Sequence, residues 1–267
     1  MAPEADTPET KNRVLREIAY YAVLIAALLA FRSTLAENYV IPSGSMEPTL
    51  KIGDYLFALK CAYVVRVPFT DVVLARVGEV RRGDIVIFPS QTENPPPRWL
   101  GLFPIRSKLI KRVVGVPGDR ISVVRDHLAV NGQTLPWRRF ADRRVLYDIP
   151  DPSVDRKALY VETINRVDHF VMVEEPYEEA RFPPLAPFVN GRPDDFAPIT
   201  VPPGMLFVMG DNRDSSYDSR YWGLVPIDAV LGRAGIVYLS VEKDPGILNW
   251  LLFRFRVRFE RLGRIVR

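Results

Sequence analysis

The chain has 267 residues, with 36 Lys and Arg against 32 Asp and Glu, for a formal net charge of +4. At 48% hydrophobic and 25% charged it is a globular chain with enough apolar material for a sizeable core, which excludes disorder. One cysteine, Cys61, excludes an internal disulfide and a cysteine-based zinc site, and His127 and His169 lack the spacing of a zinc hydrolase. The 24 prolines argue for a β-rich or loop-rich body.

Residues 1–17 are polar and carry Lys11, Arg13 and Arg16. Ile18 to Phe31 follow without a charge, a run that spans about 21 Å as a helix. If Arg32 snorkels, the run extends to Ala36 and suffices for a membrane anchor over 18–36. A cleaved signal peptide ending near Thr34-Leu35-Ala36 and a buried core helix are the competing readings. As an anchor it keeps its basic flank in the cytoplasm and places everything after residue 36 outside.

From Tyr39 onward the pattern changes to short β-rich runs bounded by Gly, Pro or Asp: GDYLFALK, GDIVIFP, IKRVVGVPGD, LFVMGD and RAGIVYLSV. Asn131-Gly132 between two apolar runs predicts a hairpin. Strands at this spacing without intervening helices predict a mainly β, antiparallel core over 37–137 and 201–245. Residues 138–200 differ in character and read as an inserted β and loop subdomain, with a disordered surface loop as the alternative for 174–198. The C-terminal stretch 246–267 interleaves six Arg with Trp, Phe and Leu. It reads as a segment lying on an anionic membrane surface or, equally, as an edge strand. Nothing in the chain forms a nucleic-acid-binding module, and no nucleic-acid partner is expected.

Three segments carry candidate chemistry. In Tyr39–Leu50, YVIPSGSMEPTL, prolines stiffen a loop on which Gly44 lets the backbone bend, and Ser45 can present its Oγ as a nucleophile if a base takes its proton. By itself Ser-Gly-Ser is a common turn. Lys111 is the candidate base, the alternative being an exposed Lys111 beside a merely paired Arg112. In an alternating strand Leu109, Lys111 and Val113 share one face, and a lysine on a buried face loses hydration and becomes neutral more easily. The third segment, GDNRDSSYDSRYWGLVP, fails the calcium-loop pattern but is dense in side chains able to orient a lysine.

IPSGSMEPTL, GDYLFALK, IKRVVGVPGDR and GDNRDSSYDSRYWG, in that order behind an apolar N-terminal segment, resemble the bacterial type I signal peptidases. These are membrane-bound Ser-Lys proteases that remove signal peptides from exported preproteins, cutting after small residues at −3 and −1. The resemblance implies Ser45 as nucleophile and Lys111 as general base. It implies an oxyanion hole from the Ser43 hydroxyl and the Ser45 N–H. Ser216 would orient the lysine, and Asp211, Arg213, Asp218 and Arg220 would support the site. Tyr39, Ile41, Met46, Leu50, Leu109 and Ile110 would line the small apolar substrate pockets. It also implies no metal or cofactor, signal-peptide-bearing preproteins and the phospholipid bilayer as partners, and a single-pass inner-membrane location with the catalytic domain on the periplasmic face. A dedicated-substrate peptidase of the same clan and a catalytically inert, anchored peptide-binding β protein are the rival readings. Residues 138–200 and the C-terminal tail do not contribute to the resemblance.

Overall fold

The computed structural model describes residues 8–68, 70, 72–90, 98–99, 103–104, 107–124, 127–175, 191–192, 195–242 and 255–267. In chain order the elements are helix α1 (Pro8–Thr34) and strands β1 (Ala36–Val40), β2 (Asp54–Leu59), β3 (Val64–Arg66), β4 (Val73–Arg76), β5 (Ile85–Pro89), β6 (Arg98–Trp99), β7 (Phe103–Pro104), β8 (Lys108–Gly115), β9 (Arg120–Val124), β10 (His127–Val130), β11 (Gln133–Thr134), β12 (Trp137–Arg139), β13 (Lys157–Ile164), β14 (Val167–Glu174), β15 (Gly191–Arg192), β16 (Asp195–Thr200) and β17 (Met205–Met209), then the single-turn helix α2 (Ser219–Trp222), β18 (Val225–Pro226), β19 (Gly232–Ser240) and β20 (Arg264–Ile265). The chain is mainly β, and its strand pairs are antiparallel, as the short bounded runs predict.

An eight-stranded sheet runs β1-β2-β19-β5-β8-β17-β18, with β20 paired to β19. Its centre is apolar on both faces, because successive side chains alternate sides. On β5, Ile85 and Ile87 pack with Ile41, Met46, Leu50 and Leu56, while Val86 and Phe88 pack on the opposite side with Val113, Leu206 and Val208. Strand β8 obeys the predicted alternation: Leu109 and Val113 belong to the Val86 side and Ile110 to the Ile85 side. Lys111 stands opposite Val86 at the centre of the β5–β8 pair.

A five-stranded sheet, β11-β10-β9-β16-β15, and a three-stranded sheet, β12-β13-β14, complete the larger layers. The Asn131-Gly132 turn forms as predicted, with both residues at positive φ (54° and 79°) and Val130 opposite Gln133. The β13–β14 turn uses the same geometry at Asn165 (φ 50°) and Arg166 (φ 64°). Arginine is an unusual residue there, so the sequence carried a weaker signal for it. The expected insertion over 138–200 is divided between two sheets: β16 joins β9, while β13 and β14 pair with each other. Residues 176–190 of that stretch lie outside the described residues.

Helix α1 starts at Pro8, ten residues before the predicted anchor, because Pro is well placed in a first helical turn and the Lys, Arg, Glu and Leu that follow are good helix formers. Its Ile18, Tyr20, Tyr21, Val23, Leu24, Ile25, Leu28 and Leu29 are all exposed, so it is not the buried core helix of the competing reading. No helix among the described residues is long and apolar enough to cross a membrane. The charged ends leave an uncharged middle of only fourteen residues, Ile18–Phe31.

At the other end, the described part of 246–267 is packed in part into the body, while Phe259, Leu262 and Ile265 are exposed. Arg258 and Arg261 are buried against Asp54 at the start of β2, and β20 pairs with β19. A buried carboxylate drew these arginines into the body. Residues 243–254 lie outside the described residues.

Candidate active site

The loop after β1 makes a single 3-10 turn over Gly44–Met46 and brings Ser45 to the wall of a cleft of about 470 Å3. Ser43, Gly44, Leu109, Lys111, Asn212 and Tyr217 are among its lining residues. Lys111 reaches across from β8, and its Nζ lies 2.5 Å from Ser45 Oγ. Lys111 is 3% exposed and, among the described residues, has no carboxylate within ion-pair distance. Burial lowers its pKa to about 8; the more distant Asp218 and Asp211 oppose that shift and Arg220 adds to it. Half the amine is therefore neutral near pH 8, and a neutral amine at hydrogen-bond distance from a hydroxyl can accept its proton.

Behind the pair, the 210–220 loop is held by its own charges. Asp211 accepts from Arg112 Nε (2.8 Å) and Nη2 (2.7 Å) and from Thr49 Oγ1 (2.5 Å). Asp218 accepts from Arg220 Nε and Nη2 (2.9 Å each) and from the Gly210 N–H (2.9 Å). Burial pushes both carboxyls up, but their arginines more than offset it, and both stay below the usual carboxylate range. Arg213 donates to Glu162 of β13 (2.7 Å), and Arg220 donates to the Arg213 carbonyl (2.6 Å).

This loop also grips the Ser45 turn. The Asn212 N–H donates to the Ser45 carbonyl (3.2 Å), and Asn212 Nδ2 donates to the Gly44 carbonyl (3.1 Å). Gly210 makes that approach possible: a Cβ there would stand 2.4 Å from the Ser45 carbonyl oxygen and 2.2 Å from Ser216 Oγ.

The other predicted residues separate into three groups. Ser43 is exposed at the cleft wall, as an oxyanion donor needs to be. Ser216 is fully buried beside Gly210; its Oγ makes no hydrogen bond of standard geometry and helps hold the Asp218 carboxyl down, and no bond joins it to Lys111. Of the six expected pocket residues only Leu109 lines the cleft. Ile41, Met46 and Leu50 are buried in the core with Tyr39 and Ile110 packed against them, so they shape the cleft floor from behind and present no lining surface. Apolar residues next to a nucleophile carry no sequence mark that separates floor from core.

Several residues of the site went unread in the sequence. Lys157, at the start of β13, is buried and donates to Asn212 Oδ1 (2.8 Å) and Ser215 Oγ (3.0 Å). Glu162 collects Arg213, the Trp137 Nε1–H (2.7 Å) and His169, whose Nε2 is 3.2 Å away. Glu47, two residues past the nucleophile, is buried on the cleft wall, and burial raises its carboxyl to about 7. Its signal was its charge within an apolar run.

A family model described as signal peptidase, peptidase S26, matches residues 14–239 of the chain. Signal peptidase I of Pseudomonas aeruginosa is 32% identical over 242 residues, covering 86% of this chain and 74% of that protein. Signal peptidase I of Pseudomonas fluorescens is 33% identical over 252 residues, covering 89% and 78%. Signal peptidase I of Rickettsia typhi is 28% identical over 276 residues, covering 97% and 96%.

Proposed function

The chain belongs to the S26 signal peptidase family, serine peptidases that remove signal peptides from preproteins, and we propose that it does so with Ser45 as nucleophile and Lys111 as the general base. The observation that carries this reading is the buried 2.5 Å contact between Lys111 Nζ and Ser45 Oγ with no carboxylate paired to the lysine.

Neutral Lys111 takes the Ser45 proton as Oγ attacks the carbonyl of the −1 residue. The Ser43 hydroxyl and the Ser45 N–H receive the oxyanion. The lysine then protonates the departing amine, and water, deprotonated by the same lysine, hydrolyses the acyl-enzyme. The preprotein docks as an extended strand, using β1, an edge of the large sheet, as its pairing partner. Small side chains at −1 and −3 are the expected occupants of the cleft beside Ser45. Asp211, Arg213, Asp218, Arg220 and Ser216 hold the loop that keeps Lys111 and the nucleophile turn in register.

The membrane belongs to this reading through α1. Its exposed apolar surface and the exposed Val72, Val73 and Leu74 at the β3–β4 hairpin support a position at a bilayer, with the catalytic body on the periplasmic side. Enzyme and substrate then share one surface, which raises their effective concentration.

The test is cleavage of a signal-peptide-bearing preprotein in detergent by the parent protein, Ser45→Ala and Lys111→Met, with the product mass determined. Cleavage after a small-x-small site, lost in both folded variants, is expected. Cleavage that survives Lys111→Met assigns the base elsewhere, and none by the folded parent overturns the reading.

A further inference from the structure

A second cleft, of about 1030 Å3, lies between the 143–155 segment and the C-terminal segment 256–264. Seven cations line it, against the three carboxylates of Asp148, Asp155 and Glu260. Four of the cations are already matched. Arg144 pairs with Asp142, Arg256 with Glu242, and Arg258 and Arg261 with Asp54.

The other three are not. Among the described residues, Lys51 Nζ donates only to the Tyr147 carbonyl while its main-chain N–H goes to Asp54 Oδ2, the Arg143 guanidinium donates only to the carbonyls of Lys157 and Val154, and the Arg264 guanidinium makes no hydrogen bond. No carboxylate among the described residues lies within ion-pair distance of any of them. Burial and then Arg261 lower the pKa of both Lys51 and Arg264; Asp148 and Asp54 oppose the shift of Lys51, and Asp54 that of Arg264, without offsetting it. Lys51, at about 8, still carries its charge at pH 7.

The cleft also touches the site already described. Tyr147, Asp148 and Ile149 line the basic cleft, and the next three residues, Pro150, Asp151 and Pro152, line the cleft of Ser45 and Lys111. Lys51 and Ile52 are divided between the two in the same way. An extended chain bound at Ser45 can follow this shared wall into the basic cleft. There the apolar Leu146, Ile149 and Phe170 offer contact for side chains between its charges.

We infer that this cleft is a substrate-binding extension that takes a carboxylate-bearing stretch of the preprotein flanking the scissile bond, with Lys51, Arg143 and Arg264 as its anion-binding groups. The inference rests on the peptidase reading of Ser45 and Lys111 and gives that site a preference for acidic residues outside the cleavage motif. A peptide is favoured over a lipid headgroup because the two clefts share a wall.

The experiment measures binding on the full chain in neutral detergent, in the Ser45→Ala background so that nothing is cleaved. Two labelled peptides share one cleavage motif and differ only in carrying Asp and Glu, or Asn and Gln, on its flanks. At pH 7 and low salt the acidic peptide is expected to bind about tenfold tighter, an advantage that shrinks as salt screens it. Adding Lys51→Met with Arg264→Ser abolishes the advantage and leaves the Asn/Gln peptide unaffected. Arg264→Ser alone, which removes no hydrogen bond, costs the acidic peptide about threefold and keeps the test valid if the double variant fails to fold.

Equal affinities in the parent, or an advantage that survives these substitutions, overturns the proposal. So does a result in which the substitutions spare peptide binding and instead weaken binding to vesicles of anionic phospholipid. With Ser45 restored, binding discrimination without cleavage would sink the peptidase reading while leaving the cleft standing.

Discussion

Two groups of charge lie equally deep in this protein and meet opposite fates. Lys111 is buried with a serine hydroxyl as its close partner, and burial lowers its pKa to about 8. A few residues away Arg112, Arg213 and Arg220 are as fully buried, but each meets a carboxylate at 2.7–2.9 Å, and Asp211, Asp218 and Glu162 are held ionised below their ordinary range against the cost of burial. Depth alone does not decide a buried charge. A matched donor set keeps it, and the lack of one lets a proton go. The same body thus holds a rigid ionic frame and, resting on it, an amine whose proton is held less tightly.

The widest gap between the two regions should appear on truncation. Lys111→Met is expected to lower kcat/KM by roughly 10^3-fold through loss of the base, while the melting temperature holds or rises, because a buried amine is replaced by an apolar chain of similar length. A variant that loses both activity and stability would erase the distinction between the two regions.

Arg112→Met should do the reverse. It leaves Asp211 buried without its guanidinium, at a cost of about 3–5 kcal/mol. At roughly 2–4 °C per kcal/mol for a chain of this size, thermal unfolding falls by roughly 10 °C. Adding Asp211→Leu should recover part of the loss, because the orphaned charge goes with it. Failure of that recovery would show that the Thr49 and Arg112 contacts matter separately from charge pairing.

The pH profile sharpens the contrast at lower amplitude. With Lys111 as the proposed base, kcat/KM should climb about tenfold per pH unit below pH 8 and level off above it. Glu47, whose carboxyl is raised to about 7 by burial, lies on the same cleft wall. Glu47→Gln should leave the limb near pH 8 in place, and a limb that disappears with Glu47 would transfer the titration to that residue.

The smallest effect is acid stability. Asp211 and Asp218 have folded pKa values below the ordinary 3.8, so their stabilisation is fully present above about 3.8 and is lost as the pH falls through the folded values. Arg112→Met should flatten that acid limb in a titration of unfolding free energy against pH. An unchanged slope would mean that the frame's carboxylates are not what acid attacks.

The sequence by itself determined the strand-rich body, the Asn131-Gly132 hairpin, the β8 alternation that puts Lys111 with Leu109 and Val113, and the candidate pair of Ser45 and Lys111. The first three are local matters of periodicity and turn chemistry, whereas Ser45 and Lys111, 66 residues apart, were joined by the resemblance of the short motifs around them to a known family. Only the tertiary structure decided that Lys157, Glu162 and His169 belong beneath the 210–220 loop, that Met46 and Leu50 are core, and that Arg258 and Arg261 leave the surface for Asp54. Those contacts join residues far apart in the chain, and a buried charge is matched by whichever element the sheet register delivers to it. Composition can show that a tail is basic, but the carboxylate waiting for it is set by the fold.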